Sequence, residues 1–255
     1  MGSSLVNIIL DLILVVPMGV AGAAVATVTS QAVSGIICTI YMTKKLKYLE
    51  FRKEDWTFSM RHCLKLCGMG LPMGLQYSIT AIGSVILQTA VNDMGSTYVA
   101  AVSAGTKISM FMCCPFDAMG STMATYGGQN VGAKRLDRVD QGLKACIKMG
   151  IIYALVALAF SIVFGKQLAL LFVKKEQTEL IGYIYEFVVA NAAFYICLAL
   201  VNIVRFMIQG LGYSTFAILA GICEMIARSV AGFILVPHFG FICVSLGSPL
   251  AWVCA

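Results

Sequence analysis

Long stretches without a charged residue constrain this chain more than any other feature of its sequence. Residues 12–43, between Asp11 and Lys44, carry no charge, and neither do residues 66–92. A helix needs about 20 apolar residues to cross a hydrocarbon core roughly 30 Å thick. These stretches therefore predict membrane-spanning helices. Their unbroken hydrophobicity excludes the alternating strands of about 10 residues that build outer-membrane barrels.

The same criterion predicts an all-α integral membrane protein, a polytopic helical bundle. Pro17 and Gly19 divide the first uncharged stretch into two helices, and the stretch 240–255 is too short for a full crossing. We expect a partial helix at about 1–17 and spans at about 19–42, 66–91, 97–124, 145–165, 181–207 and 213–236. Apolar residues make up 60% of the chain and charged residues 12%, which excludes ordinary soluble enzymes and nucleic-acid-binding domains as classes.

The distribution of Lys and Arg predicts the orientation in the membrane. The loop 43–65 contains seven of these cations and the loop after the fourth span contains five, whereas the loop 166–180 contains three. Cations accumulate in cytoplasmic loops, so the 43–65 loop is expected in the cytoplasm. The chain is accordingly expected to be a multi-pass protein of the plasma membrane, that is, of a bacterial cell membrane.

Two short segments resemble one another. Val16-Pro17-Met18-Gly19 and Val236-Pro237-His238-Phe239-Gly240 align if one residue is inserted, and each precedes a stretch rich in small residues. Secondary transporters are commonly built from two repeated halves. We therefore expect a fragment of a protein of about twelve spans, containing the last two helices of one half and nearly all of the other.

Six short motifs resemble those of the multidrug and toxic compound extrusion (MATE) transporters, and they occur in the family's order. They correspond to the starts of that family's spans six and seven, the end of span eight, the turn after span ten, and spans eleven and twelve. The motifs are Gly19-Val20-Ala21-Gly22, Gly70-Leu71-Pro72, Gln129-Asn130-x-Gly132-Ala133, Gln209-Gly210-x-Gly212, Glu224-x-x-x-Arg228 and Pro249-Leu250-Ala251-Trp252.

The resemblance implies a two-lobed secondary antiporter that exports drugs and organic cations in exchange for Na⁺ or H⁺. Residues 1–42 would end the N-terminal lobe, 43–65 would form the cytoplasmic inter-lobe loop, and 66–255 would form the C-terminal six-helix lobe, its last span truncated. The expected partners are the small-molecule substrate, the lipid bilayer and the missing N-terminal lobe. No cofactor is implied beyond the coupling ion.

The coupling ion itself stays open. One branch of the family has a glutamate in its seventh span, but Tyr77-Ser78-Ile79-Thr80 supplies no carboxylate there. That branch also has an aspartate in its tenth span, near Cys197-Leu198 here, where this sequence has none. Another branch places its coupling aspartate in the first span, which the chain does not include. Na⁺ and H⁺ therefore remain alternatives.

Ionisable groups inside membrane spans are costly, so each is a candidate for function. Lys107 and Asp117 lie in the fourth span and could pair only if Pro115 bends the helix. Glu224 and Arg228 are four residues apart and share a helix face, which predicts an intrahelical ion pair or a gating pair. Arg205 lies near the end of its span, where we expect it to snorkel to the interface.

The remaining candidates for the substrate or ion pathway are Asp11 and several uncharged polar residues. A polar stripe toward a water-filled cavity and hydrogen bonding between helices are the two interpretations of the third span. This set comprises Asp11, Gln76, Thr80, Gln88, Asn92 and Asn202.

Other functions are alternatives to the antiporter. A flippase of lipid-linked oligosaccharides would have the same architecture, and a non-transporting remnant or scaffold is the alternative from another class. Enzymatic activity and a metal site are not expected, because the sequence has no His-Glu-x-x-His, phosphate loop or Gly-x-Ser-x-Gly motif.

Overall fold

The computed structural model describes residues 2–45 and 58–255. The chain divides between residues 60 and 61 into two compact units. The first contains α1 (Gly2–Met18) and α2 (Val20–Lys45). Most of the expected 43–65 loop lies outside the described residues, so its sidedness stays a prediction.

The second unit contains the remaining helices of the described chain, and these residues form no strands. The helices are α3 (Met60–Met94), α4 (Ser96–Gly132), α5 (Leu136–Ala169), α6 (Thr178–Ala193), α7 (Tyr195–Gly210), α8 (Ser214–Val230), α9 (Val236–Phe239) and α10 (Phe241–Cys254). A π-helical segment, Ala231–Leu235, joins α8 to α9. The expected all-α fold is confirmed.

Several helices are long and apolar enough to cross a membrane. Within the described residues five helices meet this criterion, if α8, the π-helical segment and α9 are counted as one. The bent pair α6–α7 makes a sixth. α3, α4 and α5 contain 35, 37 and 34 residues, so each is about 50 Å long. They extend past the predicted spans because the sequence criterion counts only the apolar part, whereas helical hydrogen bonding continues through the polar turns at each end.

The predicted span 181–207 is present as a bent pair of helices and not as one continuous helix. α6 and α7 meet at Phe194 with a bend of 52°. Asn191, in the last turn of α6, donates its side-chain amide to the carbonyl oxygens of Phe187 (2.8 Å) and Ser245 (3.3 Å). A side chain that inserts into the carbonyl ladder bends a helix without proline. A hydropathy pattern does not register this contact.

The predicted helix ends at the two Val-Pro segments also need correction. Pro17 lies inside α1 and Pro237 lies in the first turn of α9, so both helices continue past the proline. The chain turns instead at Gly19 and Gly240, whose φ angles are +57° and +69°. Only glycine adopts positive φ at little cost. The expected pairing of Gly19 with Gly240 therefore corresponds to a shared backbone conformation.

Close backbone contact joins α3 to α8. A Cβ atom added to Gly83 would lie 3.0 Å from the Cα atom of Met225, and one added to Gly221 would lie 3.1 Å from the side chain of Gln76. Small residues at helix contacts let backbones approach within the membrane. This contact brings the polar residues of α3 against those of α8.

Replacing Gly83 by leucine should separate α3 from α8. We expect the Gly83→Leu chain to lose about 1–3 kcal/mol of stability, the usual cost of overpacking a tight contact. Gly74→Leu is the matched control, since it makes the same change on the same helix where a Cβ atom would meet nothing within 4 Å. Thermal unfolding in detergent measures both. Equal melting temperatures for the two variants would contradict this packing.

Candidate functional site

The polar side chains of α7 form one stripe on an otherwise apolar helix. Asn202, Arg205 and Gln209 are spaced i, i+3 and i+7, a spacing that places them on one face over about 10 Å. Each contacts a different neighbouring helix. We call these three residues the α7 stripe, and the site is built around them.

The middle residue of the stripe belongs to a buried ion cluster. Arg205 donates through Nη2 to Oε1 of Glu224, and Nη2 of Arg228 lies 3.8 Å from Oε2 of the same carboxylate. The side chains are only 11%, 4% and 9% exposed, respectively. Two guanidinium groups share one carboxylate, so the cluster has one excess positive charge.

Polar groups of α3 complete the ion cluster. Thr80 donates its hydroxyl to Oε2 of Glu224 at 3.4 Å. Nη1 of Arg228 donates to the carbonyl oxygen of Thr80 (3.1 Å) and to the hydroxyl of Ser84 (3.3 Å). Buried charges persist in an apolar interior only when they are paired and hydrogen-bonded. The cluster therefore ties α3, α7 and α8 together.

The two ends of the stripe bond to α3 and α4. Gln209 donates its amide to Oε1 of Gln76 at 2.7 Å, and Asn202 donates its amide to Oδ1 of Asp117 at 2.8 Å. The partner of Asp117 is therefore a neutral amide. In the described residues this carboxylate has no ion pair.

These side chains line a common cavity of about 510 Å³ between α3, α4 and α7. Its walls are Gln76, Tyr77, Asp117, Ala118, Ser121, Asn202, Arg205, Phe206 and Gln209. We call it the polar cavity. It combines a carboxylate, a guanidinium and three amides inside helices of membrane-spanning length, an arrangement that marks a pathway for polar solutes.

Three atoms at the cavity and the ion cluster are buried without a hydrogen-bond partner in the described residues. They are Nε of Arg205, Nε of Arg228 and Oε1 of Gln209. A buried polar atom with no partner costs about 1–3 kcal/mol. Gln209 is 8% exposed and lines the cavity, while its Oε1 atom is buried within the wall.

The structure brings together six of the residues that the sequence singled out. Gln76, Asp117 and Asn202 lie at the polar cavity, and Thr80, Glu224 and Arg228 lie in the ion cluster. The expected stripe along the third span is only partly present, however. Gln88 and Asn92 bond to each other at 3.1 Å and do not line the cavity.

Two further candidates are Lys107 in the second unit and Asp11 in the first. Lys107 is exposed and forms no hydrogen bond or ion pair within residues 2–45 and 58–255, so the considered pairing with Asp117 does not form. Pro115 is accommodated inside α4 and does not turn the two side chains onto one face. In the first unit, Oδ1 of Asp11 and Nδ2 of Asn7 are buried without partners.

The sequence analysis was wrong about Arg205 and missed Gln209 as a site residue. Arg205 does not snorkel, because its guanidinium is buried against Glu224. The i, i+3, i+7 spacing of three polar residues on one apolar helix was the signal that could have identified both. The position of Arg205 near the end of a predicted span did not predict its environment, since the span is bent and neighbouring helices surround the side chain.

Membrane-length helices around a cavity lined by charged and polar side chains define a polytopic membrane protein with an internal polar cavity. A model of the MatE family matches residues 72–234. The chain therefore belongs to the MatE family, a family of membrane transporters.

Individual relatives agree with this assignment. The chain is 25% identical over 195 residues to the probable multidrug resistance protein YoeA of Bacillus subtilis (71% of this chain, 41% of that protein). It is 26% identical over 179 residues to an FAD transporter of Shewanella oneidensis (67% of this chain, 39% of that protein). The chain thus spans about two fifths of these relatives.

A solved structure shows the same fold. A multidrug resistance MATE family transporter in an outward-facing conformation matches with a TM-score of 0.89 at 22% identity. The match covers 99% of this chain and 57% of that one. The helical arrangement predicted from the sequence is therefore the MATE membrane fold.

Neutralising Glu224 should destabilise the chain strongly, because two buried guanidinium groups would lose their counter-charge. We expect Glu224→Gln to cost about 3–5 kcal/mol, the usual penalty for breaking a buried pair. Asp140→Asn is the matched control, since it removes an exposed i, i+4 pair with Lys144 (side chains 61% and 70% exposed) and should cost at most about 0.5 kcal/mol. Denaturant titration in detergent measures both variants, and a smaller loss for Glu224→Gln than for Asp140→Asn would contradict the burial of the cluster.

Proposed function

We propose that this chain belongs to a secondary antiporter that exports organic compounds in exchange for Na⁺ or H⁺. The observation that carries the proposal is the polar cavity, where Asp117 faces a polar interior without a cationic partner in the described residues. A carboxylate in this position can bind either a cationic group of a substrate or a coupling cation. Family membership and the relative named as a multidrug resistance protein support this proposal.

The residues proposed for the pathway are those around the cavity. Asp117 and Asn202 would bind the cationic species, while Gln76 and Gln209 would offer neutral hydrogen-bonding groups. Within the ion cluster, the contacts of Thr80 with Glu224 and Arg228 would hold α3 against α8 in one arrangement. They would act as a gate if they break in the other access state. Lys107, Gln88 and Asn92 contact none of these groups in the described residues, and we assign them no role in the pathway. Asp11 belongs to the first unit, and its role stays a prediction.

The placement in the cell is part of the same proposal. The cations of loop 43–65 support a cytoplasmic position for that loop, by the positive-inside rule. The protein would then be a multi-pass component of a bacterial plasma membrane. Residues 1–42 and 66–255 would contribute to the two lobes of the transporter, so partners are its substrate and the rest of the bundle.

A lipid-linked oligosaccharide flippase is the second candidate. The buried guanidinium groups of Arg205 and Arg228 favour it, because an anionic phosphate needs such groups in the cavity. Against it, both arginines already share the carboxylate of Glu224, and a second carboxylate, Asp117, lines the cavity. The antiporter accounts for both carboxylates and is preferred.

The antiporter is tested by transport in proteoliposomes that contain the product of the complete gene encoding these residues. A cationic dye should leave the vesicles faster when a Na⁺ or pH gradient is imposed. We expect Asp117→Asn to lower the initial rate by about tenfold or more, since losing one charge-assisted contact costs at least about 1.4 kcal/mol.

Asp137→Asn is the control for this assay, because it makes the same change on an exposed residue in the first turn of α5. Its rate should equal that of the unmodified protein. An efflux rate that does not change when either gradient is imposed would refute the antiporter. A rate that Asp117→Asn leaves unchanged would refute the role of Asp117 in its pathway. Gradient-independent movement of a fluorescent phospholipid would instead favour the flippase.

A further inference from the structure

The polar cavity has two charged groups of opposite sign in its wall, which we call its negative and positive poles. The negative pole is Asp117, whose hydrogen-bond partner Asn202 is uncharged. The positive pole is Arg205, which lines the same cavity and shares Glu224 with Arg228. Neither pole neutralises the other, because the carboxylate that pairs with Arg205 comes from α8 and not from α4.

The spacing of the poles follows from the α7 stripe. Asn202 and Arg205 are three residues apart on one helix face, a rise of about 4.5 Å. Because Asn202 bonds directly to Asp117, the carboxylate is at the level of residue 202. With the reach of the side chains, the two charges are separated by about one to two helical turns.

A ligand with only one charge would fit this cavity poorly. A simple cation is attracted by Asp117 but repelled by the excess positive charge one to two turns away, and a simple anion is attracted by Arg205 but repelled by Asp117. Coulomb energies between charges in a protein interior are large enough at such distances to discriminate between ligands. A ligand that carries both charges at the matching distance is attracted at both ends.

Neutral groups around the poles are suited to the body of such a ligand. Gln76 and Gln209, whose amides bond to one another, line the cavity as neutral polar side chains. Tyr77 and Phe206 supply aromatic surface to the same walls. The lining thus combines charge recognition at two points with contact area between them.

We propose that the polar cavity selects zwitterionic amphiphilic compounds, whose cationic group binds Asp117 and whose anionic group binds Arg205. The proposal rests on the proposed transport function, since it specifies the substrate class of the same cavity. It differs from the expectation of simple organic cations, which uses only Asp117.

The test is a fluorescence titration of the purified 255-residue chain with probes that share one dansyl fluorophore. Nα-dansyl-lysine carries a carboxylate and a distant ε-ammonium group, dansylcadaverine carries only the ammonium, and dansyl-6-aminohexanoate carries only the carboxylate. We expect Nα-dansyl-lysine to bind about tenfold more tightly than either single-charge probe, the factor that one additional charge-assisted hydrogen bond supplies. Nε-dansyl-lysine, whose charges are adjacent, should lose most of that advantage.

Variants separate charge recognition from a loss of folding. Asp117→Asn preserves the shape of the side chain and an acceptor for Asn202. In this variant the carboxylate probe, dansyl-6-aminohexanoate, should bind more tightly than it does to the unmodified chain, and the ammonium probe, dansylcadaverine, more weakly. The preference between these two probes should therefore shift toward the carboxylate. Asp137→Asn, the same change on an exposed residue outside the cavity lining, is the control and should leave the order of the probes unchanged. A misfolded variant loses all binding, but it does not shift a preference.

Two results would overturn the proposal. If either single-charge probe binds as tightly as Nα-dansyl-lysine, the cavity recognises only one charge. If no probe binds more tightly than neutral dansylamide, the cavity does not bind such ligands. Both results leave gradient-driven efflux by the complete protein to be judged by its own assay. Conversely, gradient-independent dye movement with the zwitterion preference intact would refute the antiporter alone.

Discussion

The cost of placing charge inside a membrane bundle is the constraint on which this structure depends. Two guanidinium groups, from α7 and α8, meet at one carboxylate, Glu224, and Thr80 and Ser84 of α3 complete the hydrogen bonds. Taking such groups out of water costs several kcal/mol per ion unless the pairing is good. Because the charges and their hydrogen-bond partners come from α3, α7 and α8, these helices must pack together in this arrangement.

Glycine makes that arrangement sterically accessible. The backbone of α3 approaches α8 at Gly83 and Gly221, where a side chain would collide with Met225 or Gln76. The break between α6 and α7 gives α7 its own direction, which the long span predicted from hydropathy would not have. The polar cavity forms where α7 then faces α3 and α4, so the backbone contacts and the buried charges determine the site together.

The sequence predicted the fold well because the relevant signal is local. Uncharged stretches identify membrane helices with few alternatives, and short motifs in a fixed order identified the family. The site was harder, because most of its contacts between helices join residues 85 to 148 positions apart, such as Asn202 with Asp117 and Arg228 with Thr80. Spacing along one helix predicted the contact of Glu224 with Arg228, but not that the closer partner of Glu224 is Arg205. The break at Phe194 was missed for the same reason, since it involves a contact with Ser245 on a distant helix.

The proposed pathway requires that Asp117 and its neighbours face water within the membrane and do not face lipid. Thiol labelling in intact membranes measures this, in a background from which the ten native cysteines have been removed. A charged, membrane-impermeant methanethiosulfonate should modify Asp117→Cys and Ser121→Cys rapidly. Ile152→Cys, on the apolar exposed face of α5 (63% exposed), should resist modification. Labelling of Asp117→Cys that is no faster than labelling of Ile152→Cys would contradict the account.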